Sequence, residues 1–355
     1  MSSLYPPLGL HPSRAARRWR PSAWLLLALL ATLLLTSQLG AVQIAAADWL
    51  AGPWSGEAGS AGAHVLWQLR LPRLLLAAAA GAALGLAGAL SQALFRNPMA
   101  DPALLGVTSG AAAAVALSLT VFAGLQLALP AEWRLWLLPM VGFAGALSVC
   151  FGLERLARWL APGSIAALLL SGLAIQALAF AVVGLCSHLA SDEQLRSLSF
   201  WTLGSVAGAN WTMFVITALA LLGIAGLARR LAPQLNALAL GESAAGHVGV
   251  NVQRLRGIAI ACVALLSALC VAWCGSIGFI GLMAPHLARQ WVGADQRQLM
   301  PCAMLVGALL LLLADTLART LAVPAEIPVG IFTALIGAPW FLLLLRGSVR
   351  RMGSA

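Results

Sequence analysis

The 355-residue sequence contains no lysine, and charged side chains of all kinds make up only 9% of it. A soluble domain carries about 25% charged residues, so the polar surface needed to coat a water-exposed exterior is missing. The lack of lysine excludes more. A Walker A phosphate loop, a Schiff-base site and a protein-kinase site each require one, so the chain is not expected to be the ATPase or kinase of any system it serves. Carboxylates are also few: Asp315 is the main one inside an apolar stretch, with Glu326 in the loop that follows. An ion-coupled carrier usually places several carboxylates or histidines at mid-membrane, and their scarcity counts against that class. There is no G-x-S-x-G, no H-E-x-x-H, no carboxylate pair and no C-x-x-C. Cys150, Cys186, Cys262, Cys270, Cys274 and Cys302 are read as packing residues, and His188, His247 and His286 as lone polar residues. The expectation is no catalytic residue, no metal site and no resident cofactor.

What the chain does have is apolar length. Hydrophobic residues make up 61% of it and its mean hydropathy is +0.93, which marks an all-α integral membrane protein. A span needs about 20 apolar residues. Nine clear windows lie near 22–44, 74–95, 103–128, 135–153, 164–187, 211–228, 257–274, 301–318 and 328–346. A tenth, 276–291, is weak because it contains Pro285, His286 and Arg289. Arginine placement decides whether it counts. With ten spans and a cytoplasmic N-terminus, 16 of the 21 arginines fall on the cytoplasmic side. Without the weak span, Arg289, Arg297, Arg346, Arg350 and Arg351 would all move outside, against the positive-inside rule. Ten spans are therefore expected over 22–346, with cytoplasmic tails at 1–21 and 347–355. The net charge of +10 sets topology and gives no sign of nucleic-acid binding. Arg70, Arg73, Arg134, Arg196 and Arg319 remain outside. The run from Ala23 to Leu35 continues far enough to be a span rather than a cleaved signal. Twelve of the 13 tryptophans lie at or near span ends, where an indole prefers the interface.

Small residues recur within the spans. Gly81-x-x-x-Gly85, followed by Gly88, and Gly204-x-x-x-Gly208 are patterns that let helices approach closely. Three stretches rise above this background. In Gln92 to Ala112, Pro98 and Pro102 end the preceding helix and hold Asn97 and Asp101 extended, so a tight cytoplasmic turn is expected. The 229–256 loop is the longest cytoplasmic connection. Leu235, Leu238 and Leu240 lead to a break at Gly241, and Glu242 to His247 can form a short second helix before Gly249. Such a loop invites either a protein partner or lipid. In Gly275 to Arg289, the residues Gly275, Gly278, Gly281 and Pro285 make a poor continuous helix. Irregular backbone at membrane depth is tolerated only where protein buries it or it lines a water-filled cavity, so this segment is expected to line a pathway.

Together these stretches resemble the FecCD family of ATP-binding-cassette importer permeases for iron-siderophores, heme and vitamin B12. The resemblance runs from about Arg70 to Arg346 through five motifs in order: RLPR at 70–73, the block from Gln92, the LG-x-x-x-A loop from Leu240, GSIGFIGLMAPHLAR from Gly275, and PAEIPVGIFTALIGAPWFLLLL. It implies a type II importer permease of ten transmembrane helices per subunit, in the bacterial inner membrane, with two copies forming a central pathway. Two separate ATPase subunits, which use ATP and Mg, would dock below, and a periplasmic substrate-binding protein above. The resemblance favours the protein-partner reading of the loop, with Leu240, Gly241, Glu242, Ala245, Gly246, Val248 and Gly249 as the ATPase-coupling element. Positions matching Arg70, Arg73 and Arg319 dock the binding protein in the family's vitamin B12 importer. Gln92, Asn97, Pro98, Gly275, Gly278, Gly281 and Pro285 are the expected pathway or gating positions. The segment Ser191 to Trp211 is similar to heme-importing members in its LxFWxLGSxxGxxW pattern, so heme is the expected substrate, with siderophores and cobalamin as alternatives. An ion-coupled carrier is the rival from another class.

Overall fold

The computed structural model describes residues 20–40, 42–52, 60–124, 130–161, 164–323 and 325–353, and no strand occurs among them. Most of the expected N-terminal tail lies outside the described residues. In hydrocarbon, a lone segment can satisfy its own backbone only as a helix, and the apolar runs accordingly become helices. In chain order they are α1 (Arg20–Gln38), α2 (Ala46–Ala51) and α3 (Ala61–His64), which passes through a π turn (Val65–Arg70) into α4 (Leu71–Leu94). Then come α5 (Val107–Leu119), α6 (Ala131–Leu160), α7 (Ile165–Leu189), α8 (Asp192–Leu203), α9 (Trp211–Ala239) and α10 (Glu242–His247). Last are α11 (Val252–Cys274), α12 (Ile280–Val292), α13 (Gln296–Thr320) and α14 (Val329–Gly353).

Each of the ten expected windows coincides with one helix. Among the described residues, seven helical runs are long and apolar enough to cross a membrane: α1, the α3–α4 run, α6, α7, α9, α11 and α13. The other three windows hold shorter helices: α5, the apolar part of α14, and α12.

α4 is the axis of the bundle, buried along nearly its whole length and packed on α9, α11, α12 and α13. Its glycines explain how. A Cβ on Gly81 would strike the carbonyl of Gly307, one on Gly85 the carbonyl of Ala303, and one on Gly88 the carbonyl of Gly281. The missing side chains let α4 lie backbone to backbone against α13 and α12, the role small residues play between membrane helices. The Gly204-x-x-x-Gly208 pair behaves differently from its sequence pattern. Gly204 has φ +73 and closes α8 rather than sitting within a helix. α1, α7 and α9 lie outside, exposing Leu30, Leu34, Leu170, Leu173, Leu219 and Leu222.

Two further elements depart from the windows. α9 continues through Arg229 and Arg230 to Ala239, so the connection expected over 229–256 is reduced to a short corner after Leu240. The reason is amphipathic spacing: Ala228, Leu231, Ala232, Leu235 and Leu238 are buried on one stripe, while both arginines face out. α8 lies outside all ten windows. It starts at a capping box in which Ser191 accepts the Gln194 N–H and Gln194 accepts the Ser191 N–H.

Candidate functional site

The first part of the site is the corner that carries α10. Gly241 has φ +118 and Gly249 φ +82, values a residue with a Cβ adopts only under strain, so glycines bracket the six-residue helix. Inside the corner, Ala245 is fully buried and fixes α10 on the bundle. Outside, Leu240 is 81% exposed and Val248 69% exposed, while the space around Gly246 is open. Two apolar side chains thus flank a short helix with nothing packed over them. Glu242, first residue of α10, accepts a hydrogen bond from Arg256 of α11, and Arg96 lies 3.9 Å from the same oxygen. Arg96 itself has φ +49 and belongs to the turn after α4. There Asn97 Oδ1 accepts the Met99 N–H at 2.9 Å and Asp101 Oδ1 the Ala103 N–H at 2.7 Å, with Pro98 exposed at the tip. The tight turn expected from the two prolines is present, and its arginine faces α10.

The second part is the weak window. After α11 ends at Cys274, Gly275 turns with φ +65, and Phe279 adopts φ +65 before α12 begins. α12 has 13 residues, about 20 Å of helix, which is too short for a hydrocarbon core of about 30 Å. The five residues 275–279 that precede it are non-helical, with positive φ at Gly275 and Phe279. This explains why hydropathy alone nearly rejects the segment. Its irregular backbone is packed against protein at both ends. Ser205 donates to the Cys274 carbonyl at 2.8 Å, Gly275 abuts the Trp201 carbonyl, and Phe279 lies against Gly337 of α14. Gly278 is the exposed position. Further along, the Gln92 amide donates to the Leu282 carbonyl at 3.2 Å and accepts from Arg289 at 3.1 Å. An added Cβ on Gly281 would lie 2.8 Å from Pro102, and Pro285 is buried in α12. The structure therefore brings Gln92 and Gly281 to the α4–α12 contact. Asn97 and Pro98 belong to the neighbouring turn, and Gly275 and Gly278 lie at the far end of α12.

The third part is the arginine trio at the opposite end of the bundle, where each guanidinium has partners within the chain. Arg70 is buried and donates to the carbonyls of Ser37 at 2.8 Å and Val42 at 2.6 Å. Arg319 donates to those of Leu39 and Thr36. Each guanidinium thus satisfies one carbonyl in the last turn of α1, Ser37 or Thr36, and one in the chain just beyond it. Arg73 is bonded to Asp315, which is fully buried, at 2.9 Å and to Glu326 at 2.8 Å. The three line an open cavity of about 710 Å3 together with Leu39, Val65, Val323 and Glu326. Asp315, the carboxylate expected inside an apolar stretch, is committed to an arginine.

Several contacts were beyond sequence reasoning because their partners lie far apart in the chain. These are Arg96 and Arg256 with Glu242, 14 or more residues apart, and Asn236 with Asp295. Nothing in the local pattern at Asn236 marks it. Among the described residues no group of His, Cys, Asp or Glu is arranged to hold a metal, and all six cysteines are buried free thiols.

These three parts, a break-bracketed short helix at one end, an irregular segment before α12 and a charged far end, acquire a family context from sequence comparison. The model of the FecCD transport family matches residues 26–347. The chain belongs to the FecCD transport family. Among its relatives, the hemin transport system permease HmuU of Yersinia pestis is 44% identical over 301 residues, covering 84% of this chain and 89% of that one. The Fe(3+)-citrate import system permease YfmE of Bacillus subtilis is 39% identical, covering 81% and 83%. The vitamin B12 import system permease BtuC of Salmonella schwarzengrund is 39% identical, covering 94% and 96%. Among solved structures, a metal-chelate type ABC transporter in an inward-facing conformation superposes with a TM-score of 0.79 at 34% identity, over 92% of this chain and 99% of that one. As a FecCD family member it is a multi-pass membrane protein, and α10 lies where the family resemblance puts the coupling element.

Proposed function

We propose that this chain is the membrane permease of an ATP-driven importer that carries heme inward by alternating access. The observation that carries the reading is α10: a short helix held between two positive-φ glycines, flanked by bare Leu240 and Val248, at the arginine-rich end of the bundle. Apolar side chains so placed call for a protein cover, and a separate ATPase subunit using ATP and Mg is the cover that family membership supports. Two copies of the permease would pair, each docking one ATPase subunit. In this scheme both termini are cytoplasmic, the membrane is the bacterial inner membrane, and a substrate-binding protein docks over the cavity lined by Arg70, Arg73 and Arg319. Those arginines would shape the docking face through the contacts they make within the chain. Charge complementarity at its rim would steer encounter more than it adds affinity.

Movement of the ATPase subunits would displace α10 and rock the two copies about the pathway. The chain's own part is mechanical: it carries force and shapes an enclosed route. Heme is favoured by the 44% identity to the hemin permease, against 39% to the iron-citrate and vitamin B12 permeases, and by the heme-type pattern around Trp201. The relatives at 39% make an iron chelate or cobalamin the second reading. The test is uptake of radiolabelled heme by liposomes holding the permease, its ATPase and its binding protein. ATP-dependent heme uptake is expected. Uptake of a siderophore or cobalamin but not heme would replace the substrate, and gradient-driven transport by the permease alone would replace the class.

A further inference from the structure

The importer reading leaves open how displacement of α10 reaches the pathway segment at the far end of α12. The ion pairs of Glu242 are poor candidates, because its side chain is 43% exposed and exposed pairs hold little and are screened by salt. A second connection is better built. α9 ends at Ala239 and α10 starts at Glu242, so Asn236 lies less than one turn before the hinge that carries α10. Its carboxamide uses both ends. Nδ2 donates to Asp295 Oδ1 at 2.7 Å, and Oδ1 accepts the backbone N–H of Gln296 at 2.9 Å. Asp295 is also the N-cap of α13, accepting the Arg297 N–H at 3.0 Å, and it sits three residues after the end of α12. One half-buried side chain thus grips the α12–α13 corner.

The neighbouring contacts of α9 cannot do this. Leu235 and Leu238 are buried in the apolar core, where attraction is non-directional and allows sliding. A paired donor and acceptor fixes register. From the gripped corner, α12 extends as a lever of about 20 Å to Phe279, where φ +65 ends the helix and the irregular segment begins. On the way, Arg289 and Leu282 hold Gln92 of α4, which gives the lever a fulcrum.

We propose that Asn236 is the positioning residue that couples α10 to the α12–α13 corner, so that displacement of α10 tilts α12 about the Gln92 contact and moves the 275–279 segment. This rests on the importer reading. Replacing the amide by a carboxylate sets two carboxylates face to face and removes the donor. The reciprocal change of Asp295 to asparagine leaves an acceptor for Asn236 and keeps an N-cap residue of equal quality. The two together restore a donor–acceptor pair between the positions with the donor reversed, although the amide nitrogen that then donates takes the place of the oxygen that caps Arg297.

The experiment compares wild type, Asn236→Asp, Asp295→Asn and the double variant in the reconstituted complex. It records heme transported per ATP hydrolysed, basal ATPase rate and elution of the assembled complex. The inference expects Asn236→Asp to lose at least about fivefold in heme per ATP, the lower end of a coupling effect, with basal ATPase and assembly unchanged. Asp295→Asn should stay within about twofold of wild type, and the double variant should recover most of what Asn236→Asp loses. If Asn236→Asp does not assemble, the uncharged Asn236→Ala takes its place with the same expectation. Wild-type heme per ATP in the single variant, or a double variant no better than it, would overturn the inference. So would parallel loss of basal ATPase and uptake, which would make the residue merely structural. Absence of ATP-driven uptake in wild type would instead overturn the importer reading, and this inference with it.

Discussion

At the scale of single residues, the arginines outside the positive-inside pattern show how much context a side chain needs before its role can be read. Arg73 is 13% exposed and faces Asp315 at 0%, whereas Glu326, its other partner, is 44% exposed. Breaking a buried pair by removing one partner destabilises by about 3–5 kcal/mol, while an exposed pair contributes about 0–1 kcal/mol. Asp315→Ala should therefore lower the thermal midpoint of the detergent-solubilised permease by several degrees, and Glu326→Gln should leave it nearly unchanged. Equal effects from the two would show that Asp315 is not the main partner. Arg70→Glu would face carboxylate oxygens toward the carbonyls of Ser37 and Val42, and loss of stability in the isolated permease is expected even without a binding protein. A variant that weakens docking alone, with an unaltered melting profile, would contradict the capping role. The sequence showed that these arginines lie on the unusual side. It could not show the partners of Arg70, Arg73 and Arg319, since those lie 28 to 283 residues away.

At the scale of elements, legibility followed local physics. Each hydrophobic window holds a helix, and seven of the helical runs are long and apolar enough to cross a membrane, because apolar length and helix formation are the same requirement inside a bilayer. Gly241, Gly275 and the two prolines after Asn97 and Asp101 were legible for a similar reason, as their backbone restrictions act within a few residues. The continuation of α9 to Ala239 was obscured by Arg229 and Arg230, which read as the start of a loop while the buried stripe on the opposite face kept the helix going. α8 was missed because its apolar content is low and its capping box lies outside any long apolar run. At this scale, Gly88→Leu should disrupt the α4–α12 contact. A Cβ there meets the backbone of Gly281, and overpacking of a tight core typically costs about 1–3 kcal/mol or more. Reduced yield of folded permease and a lowered midpoint are expected, and a wild-type midpoint would mean the helices can part at little cost. Gly241→Val places a β-branched residue at φ +118. Transport per ATP should fall while the permease itself still folds, because α10 lies outside the buried core apart from Ala245. Undiminished coupling would place the ATPase contact elsewhere.

At the scale of the whole molecule, one polarity organises the chain. One end presents α10, Arg96 and the exposed Leu240 and Val248; the other holds α1 to the bundle through Arg70 and Arg319 around an open cavity. α4, α12 and α13 run between them with backbones in contact, which is how a shift at one end can be felt at the other rather than absorbed by soft side chains. Family membership was legible from five motifs, each local in sequence. The internal connections that give those motifs mechanical meaning were not legible, because they pair residues from different helices. The central claim is that transport is driven through α10 by a separate ATPase. Its most direct test is heme uptake into liposomes bearing the permease with and without the ATPase subunits, binding protein present throughout. The account predicts ATP-dependent uptake with them and none without them under any ion gradient. Gradient-driven uptake by the permease alone would contradict it.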